Sequence, residues 1–489
     1  MTPHRAVIIG AGFGGLCMAI RLKAAGIEDF VILERADAIG GVWRDNSYPG
    51  AACDIPAVFY SYSFARDHPW STAYPGQAEI LGYIHALADR YGLRPHLRLG
   101  RHVTAARWDD AAAVWEMATA EGERFAGEVL VPAVGIFNRP VIPAIPGAAR
   151  FAGIAFHSSA WRHDLDFAGR RVAVVGTGSS AVQIVPELVR MGAGVTLFQR
   201  SAPYVMPKIA VDPARPEDER ARLFEEFERA AARRADPEAT EAARQAFLDR
   251  LVAAVPDPDL RARLTPDYTF GCKRAVFSDE WFAALQAPNA TLVTVPIAGV
   301  EAAGLRTRDG VLHPVEVLVW ATGFDPASYL PGITVTGRGG RALHDAWADG
   351  AEAYLGMCVT GFPNMFLLYG PNTNVPGSIL FMLECQTAFV MQALALMQAR
   401  GWRGIDVREG PMRAFCDGLR AELDASTQSA AHCTSYYMTD AGRVVTNFPG
   451  SQARYRDLTA RIAPADFAAV RVPTASRRHA AARPATSGD

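Results

Sequence analysis

The chain has 489 residues, half of them hydrophobic and a fifth charged, which is too long for one hydrophobic core and suits two or three soluble folding units. With 49 Lys and Arg against 51 Asp and Glu, the net charge of -2 provides no field to gather nucleic acid or an anionic membrane, so neither is an expected partner. The seven cysteines (Cys17, Cys53, Cys272, Cys358, Cys385, Cys416, Cys433) form no C-x-x-C pair, which predicts reduced thiols, no disulfide framework, no metal site and a cytoplasmic address.

The chain opens with a βαβ pattern: the strand "RAVIIG", a glycine turn, a helix through "CMAIRLKAAG" and the strand "DFVILE". The turn "GAGFGG" places Gly10, Gly12 and Gly15 where a dinucleotide fold needs a tight turn, close approach to a pyrophosphate and close helix packing. Glu34 ends the second strand about 20 residues beyond the last glycine, the spacing of a carboxylate that binds a ribose 2'-hydroxyl. Further on come "GGVWRDNSYPGAACD" (40–54) and "FAGIAFHSSAW" (151–161), the latter with a spacing that suits neither a helix face nor an alternating strand.

A second βαβ pattern follows in "RRVAVVG", "AVQIVPELVRMG" and "GVTLFQR". Its turn "GTGSSA" contains Thr177, Gly178, Ser179 and Ser180, with Gln183 one helical turn further, all expected to meet a nucleotide. At the strand end this unit has Arg200, followed by Ser201, where the first has Glu34. A guanidinium there holds a 2'-phosphate that a carboxylate would repel. The first site therefore prefers a free ribose and the second NADP(H), which together suggest NADPH reducing a bound FAD. Between Pro207 and Pro266 the Arg-, Glu- and Ala-rich composition with apolar residues at helical spacing predicts a helical insertion. The apolar run "SILFMLECQTAFVMQALALM" is broken by Glu384, Gln386 and Gln392 and predicts a buried helix, not a membrane span. The tail has too little apolar surface to offset its ordering entropy and is expected to be disordered.

Residues 40–54 resemble the long fingerprint of type I Baeyer–Villiger monooxygenases, 151–161 the short fingerprint, and "ATGFD" (321–325) the return-linker motif of related flavin monooxygenases. The resemblance runs from about residue 4 to about 460 and implies an α/β protein with two Rossmann-like dinucleotide-binding domains, for FAD and NADP, and a helical insertion in the NADP domain. The expected boundaries are 1–142 and 326–470 for FAD, 143–203 and 268–325 for NADP, 204–267 for the insertion and 471–489 for the tail. In "GCKR" (271–274) the resemblance makes Lys273 a ligand of the 2'-phosphate and Arg274 the active-site cation, oriented by Asp54. It packs Val42, Trp43 and Tyr60 against FAD, brings "GPNTNVPGS" (370–378) and the following helix N-terminus to the flavin, sets Tyr436 against cofactor and substrate, and gives His157 a hinge role, not that of a base.

The implied cycle passes hydride from NADPH to FAD, lets O2 add as a C4a-peroxide beside Arg274, and converts a ketone to an ester or lactone. No obligatory protein partner is expected. Two other readings stay open: oxygenation of nitrogen or sulfur on the same frame, and a flavin reductase or redox sensor without oxygenation. Departures from the family pattern are Arg162 after the fingerprint tryptophan, "AVG" at 133–135, Tyr436 in "SYY" and Phe448 in "NFPGS".

Overall fold

The computed structural model describes residues 2–429 and 433–471, so the tail beyond Arg471 lies outside the described residues. The first βαβ unit comprises β1 (His4–Ile9), α1 (Phe13–Ala24) and β2 (Phe30–Leu33), with β1 parallel to β2. Gly10 turns the chain at φ +107, where a Cβ would meet the Ala133 carbonyl oxygen at 2.6 Å. At Gly15 a Cβ would meet the Gly10 carbonyl oxygen at 1.9 Å, so only glycine lets α1 pack this closely on its own turn. The unit sits in a seven-stranded mixed sheet whose order is Thr334–Thr336, Val103–Asp109, Val114–Thr119, Arg124–Pro132, β1, β2, Leu97–Arg98.

The second unit, β3 (Arg171–Val175), α2 (Ser179–Arg190) and β4 (Gly194–Phe198), lies in a five-stranded sheet that is parallel throughout, in the order Ala290–Val293, β4, β3, Val317–Trp320, Ile154–His157. The segment 154–157 is therefore an edge strand of this sheet, although its spacing suggested neither helix nor strand. Its backbone is fixed by parallel pairing, with His157 opposite Trp320, instead of by a two-sided apolar pattern.

Helices Pro216–Ala232, Pro237–Ala254 and Pro258–Leu264 fill the insertion, and they divide their apolar contacts. Leu223 and Phe227 join the core of the first sheet's domain beside Phe59, whereas Phe247, Leu251, Leu260 and Leu264 join the core around Tyr204 and Trp281. The insertion thus bridges both units. Helix Ile379–Arg400 is long and apolar enough to cross a membrane, but Leu383, Phe389, Val390, Leu394 and Met397 are buried in the core that α1 also supplies. Gly401, at φ +62, ends it.

Candidate active site

One cavity of about 1760 Å³ runs between the two glycine turns, larger than the ~300–1,000 Å³ of an ordinary small-molecule site. Gly10, Gly12, Glu34, Val42, Trp43 and Tyr60 line it on the first side, Thr177, Gly178, Ser179, Ser180 and Gln183 on the second. Arg200, Ser201, Lys273, Arg274, Asp54 and Tyr436 also face this space. Gly15 does not line the cavity; it is buried behind the turn in α1.

Glu34 is buried at the end of β2. Its carboxylate accepts from Ala11 N–H at 2.8 Å and Ala36 N–H at 3.0 Å and pairs with Arg44 at 3.2 Å. An ionised carboxylate has about four acceptor positions, so these three partners fix its orientation and leave capacity for a hydroxyl. Arg44 belongs to the 40–54 stretch but was not singled out from sequence. Trp43 Nε1 donates to Tyr60 Oη at 3.1 Å, which locks two of the rings flanking this half of the cavity.

At the other end Lys273 donates to Ser201 Oγ at 3.1 Å and its ammonium lies 4.3 Å from the centre of the Tyr268 ring. Burial, and then the neighbouring positive charge of Arg200, push the Lys273 pKa down. Among the described residues neither Arg200 nor Lys273 forms a salt bridge; Asp267 only partly offsets the two cations that converge on this space. Such a cluster is stabilised by an added anion, which fits a 2'-phosphate.

Between these ends, Arg274 Nη2 donates to Asp54 Oδ1 at 2.5 Å. The carboxylate of Asp54 holds the Arg274 pKa well above its ordinary value despite the opposing effect of burial, so the guanidinium is a permanent cation. Its side chain remains 37% exposed, toward the cavity it lines, while that of Asp54 is 15% exposed. Tyr436 is 46% exposed and donates from its hydroxyl to Tyr437 Oη at 2.9 Å. Ser378 caps helix Ile379–Arg400 by accepting from Leu380 N–H at 3.2 Å, and Gly377 and Ile379 bring that helix start to the cavity wall.

Gln183 has a structural task that the sequence did not disclose. Tyr48 donates to its Oε1 at 3.0 Å, and its Nε2 donates to the Ala52 carbonyl at 2.9 Å, docking the 40–54 loop on α2. Gly50, at φ +78, permits this contact, since a Cβ there would meet the Gln183 carbonyl at 2.8 Å. His157 Nε2 donates to the Gly323 carbonyl at 3.0 Å, and its Nδ1 accepts from Ser159 N–H at 3.1 Å. Nε2 thus ties this strand to the 321–325 segment and Nδ1 closes a local turn with Ser159, so neither nitrogen is offered to the cavity.

Arg162 spends its guanidinium on Asp164 at 2.7 and 2.6 Å, and Trp161 packs edge-on against Phe156, so the arginine leaves the fingerprint core undisturbed. Phe448 is fully buried against Tyr455. The expectation that all seven cysteines are reduced fails at one pair: Cys272 and Cys433 are bonded, 161 positions apart in sequence. No local spacing could signal this, because only the tertiary fold brings the two segments together.

The family model described as pyridine nucleotide-disulphide oxidoreductase matches residues 7–219. A Baeyer–Villiger monooxygenase of Streptomyces coelicolor (strain A3(2)) is 38% identical over 99% of this chain and 96% of its own length. Among solved structures, an oxidized steroid monooxygenase bound to NADP superposes with a TM-score of 0.87 at 32% identity, covering 96% of this chain and 99% of the other. OTEMO in complex with FAD and NADP superposes with a TM-score of 0.86 at 25% identity, covering 96% of this chain and 100% of its own.

Proposed function

We infer that this chain, which belongs to the Baeyer–Villiger monooxygenases, is an FAD- and NADPH-dependent enzyme that inserts one atom of O2 beside a ketone carbonyl, giving an ester or lactone. The observation that carries the reading is the Arg274–Asp54 pair in the wall of a cavity joining a carboxylate-marked nucleotide site to a cation-marked one. When bound, FAD takes hydride from NADPH and activates oxygen; the chain's residues hold, orient and shield.

On this reading Gly10, Gly12 and the N-terminus of α1 receive the FAD pyrophosphate. Glu34 takes the ribose, and Val42, Trp43 and Tyr60 flank the ring system. Thr177, Gly178, Ser179 and Ser180 cradle the NADP pyrophosphate, while Arg200, Ser201 and Lys273 bind the 2'-phosphate and so select NADPH over NADH. Gln183 acts mainly by docking the 40–54 loop, since both ends of its amide are engaged. Arg274 presents a fixed positive charge to oxygen atoms that become negative during the reaction, a preorganised contribution of roughly 3–4 kcal/mol for one donor. Asp54 aims that guanidinium, and Tyr436 shapes the substrate side. The domain division is read as 1–142 with 326–470 for FAD, 143–203 with 268–325 for NADP, and 204–267 as an insertion braced against both. A small-molecule ketone with O2 is the substrate pair, no further protein is required, and the enzyme works in the cytoplasm.

Replacement of Arg274 by Ala tests the assignment. Reduction of the flavin by NADPH should survive at near its normal rate, while ester formation falls by ~100-fold or more. Normal ester formation by Arg274→Ala would remove Arg274 from catalysis.

A further inference from the structure

The sulfurs of Cys272 and Cys433 are bonded, with Cα atoms 5.3 Å apart. Each cysteine stands next to residues of the site. Cys272 immediately precedes Lys273 and Arg274, and Cys433 precedes the stretch 434–437, which lines the same cavity and contains Tyr436. The bond therefore ties the segment carrying the active-site cation to the segment carrying the exposed tyrosine.

Gly271 lies at φ +87 against Thr427, where a Cβ would come within 3.1 Å of the threonine hydroxyl oxygen, so the turn before Cys272 packs on the chain a few residues ahead of Cys433; Cys272 N–H donates to the Thr269 carbonyl at 3.1 Å, closing that turn. With Cα atoms 5.3 Å apart the two thiols are within bonding reach, a condition that favours ring closure over intermolecular reaction. Access is unequal: Cys433 lines the cavity, whereas Cys272 is fully buried behind it. The other five cysteines are unpaired, Cys53 included although it too lines the cavity, so only this pair can close a ring.

We propose that Cys272 and Cys433 form a reversible redox modification site, oxidised by hydrogen peroxide that arises in or enters the cavity, and that the bonded form slows turnover by clamping the Arg274 segment to the Tyr436 segment. The activity part of the inference rests on the monooxygenase reading, in which oxygen consumed without substrate leaves as hydrogen peroxide. The Cys433 thiolate attacks one peroxide oxygen; an S–O bond forms, the O–O bond breaks, and the departing hydroxide takes a proton to become water. The Cys272 thiolate then attacks the sulfenic sulfur; the S–S bond forms, the S–O bond breaks, and the second hydroxide leaves as water. Two thiols and one peroxide give one disulfide and two waters, each sulfur losing one electron and the peroxide gaining two. On this proposal the bond keeps the two stretches of cavity wall from moving apart, and that restraint slows turnover.

The test uses the flavin-loaded enzyme, reduced with dithiothreitol, freed of it, and treated with stoichiometric hydrogen peroxide without NADPH. Peptide mapping without reductant should join the peptide ending at Lys273 to the one containing Cys433, with loss of two hydrogens. Ketone turnover should then fall several-fold and return on dithiothreitol treatment. Cys272→Ser and Cys433→Ala should each stay unlinked and keep, after peroxide, the rate they had before it. Absence of the joined peptide, a joined peptide with unaltered turnover, or variants that lose as much activity to peroxide as the unsubstituted enzyme would each overturn the proposal. The linkage is read without any turnover, so a failure of the monooxygenase reading would leave that result standing and be recognised separately.

Discussion

Arg200 and Glu34 occupy equivalent strand ends in the two βαβ units and differ in sign of charge, and the proposed assignment of the two nucleotides rests on this single contrast. Glu34 is held by two backbone N–H groups and Arg44, whereas Arg200 and Lys273 are neighbouring cations that no salt bridge neutralises among the described residues, Asp267 offsetting them only in part. Arg200→Gln should therefore raise KM for NADPH by ~10–100-fold, the equivalent of one or two charge-assisted hydrogen bonds, while leaving KM for NADH nearly unchanged. Steady-state kinetics with both coenzymes checks this, and equal effects on the two would show that Arg200 does not read the phosphate. At the chemical centre, Asp54→Asn keeps the shape but removes the charge that aims Arg274. Since Arg274 is partly solvated, the fold should persist, with ester yield per NADPH falling and peroxide release rising in a coupled assay.

Among the elements, the strand Ile154–His157 and the return segment 321–325 form the crossing between the two sheets, and His157 fastens one to the other. Its Nδ1 accepts from Ser159 N–H and lies 2.9 Å from Ser159 Oγ. Burial lowers the His157 pKa below the ordinary 6.5, against the opposing effect of the Gly323 carbonyl. The unfolded chain binds this proton more readily than the native one, so the histidine's contribution is complete above that ordinary value and is lost as pH falls below it. The melting temperature should drop between about pH 7.5 and about pH 5.5 by less in His157→Gln than in the wild type; parallel pH profiles would show that His157 is not the group responsible. The glycine turn of α1 is equally specific. Gly15→Val would place side-chain atoms on the Gly10 carbonyl, so this variant should purify with much less FAD, read from flavin absorbance per chain. Both turns and both strand ends were legible in the sequence, because backbone geometry and ribose chemistry demand fixed residue types at fixed local spacings. The edge strand 154–157 was not, since its partner Val317–Trp320 is remote in the chain and its own pattern carries no period.

At the scale of the molecule, the same distinction between local and tertiary information decides what could be read. The two dinucleotide units and the helical insertion follow from patterns a few residues long. The docking of the 40–54 loop through Tyr48, Gln183 and Ala52, the bracing of the insertion on both cores, and the Cys272–Cys433 bond depend on segments that meet only after folding. Arg274 and Asp54, 220 positions apart, belong to the same class; the family resemblance suggested their pairing where spacing could not. The whole arrangement brings the two glycine turns onto one cavity with a fixed cation between them, which suits the proposed transfer of electrons from one carrier to oxygen beside that cation. The most direct test supplies the enzyme with NADPH, a ketone and isotopically heavy oxygen gas, and measures the label in the product by mass spectrometry. The account predicts an ester or lactone containing one heavy oxygen atom for each NADPH oxidised. NADPH oxidation matched by hydrogen peroxide, with no labelled ester from any ketone tried, would contradict it.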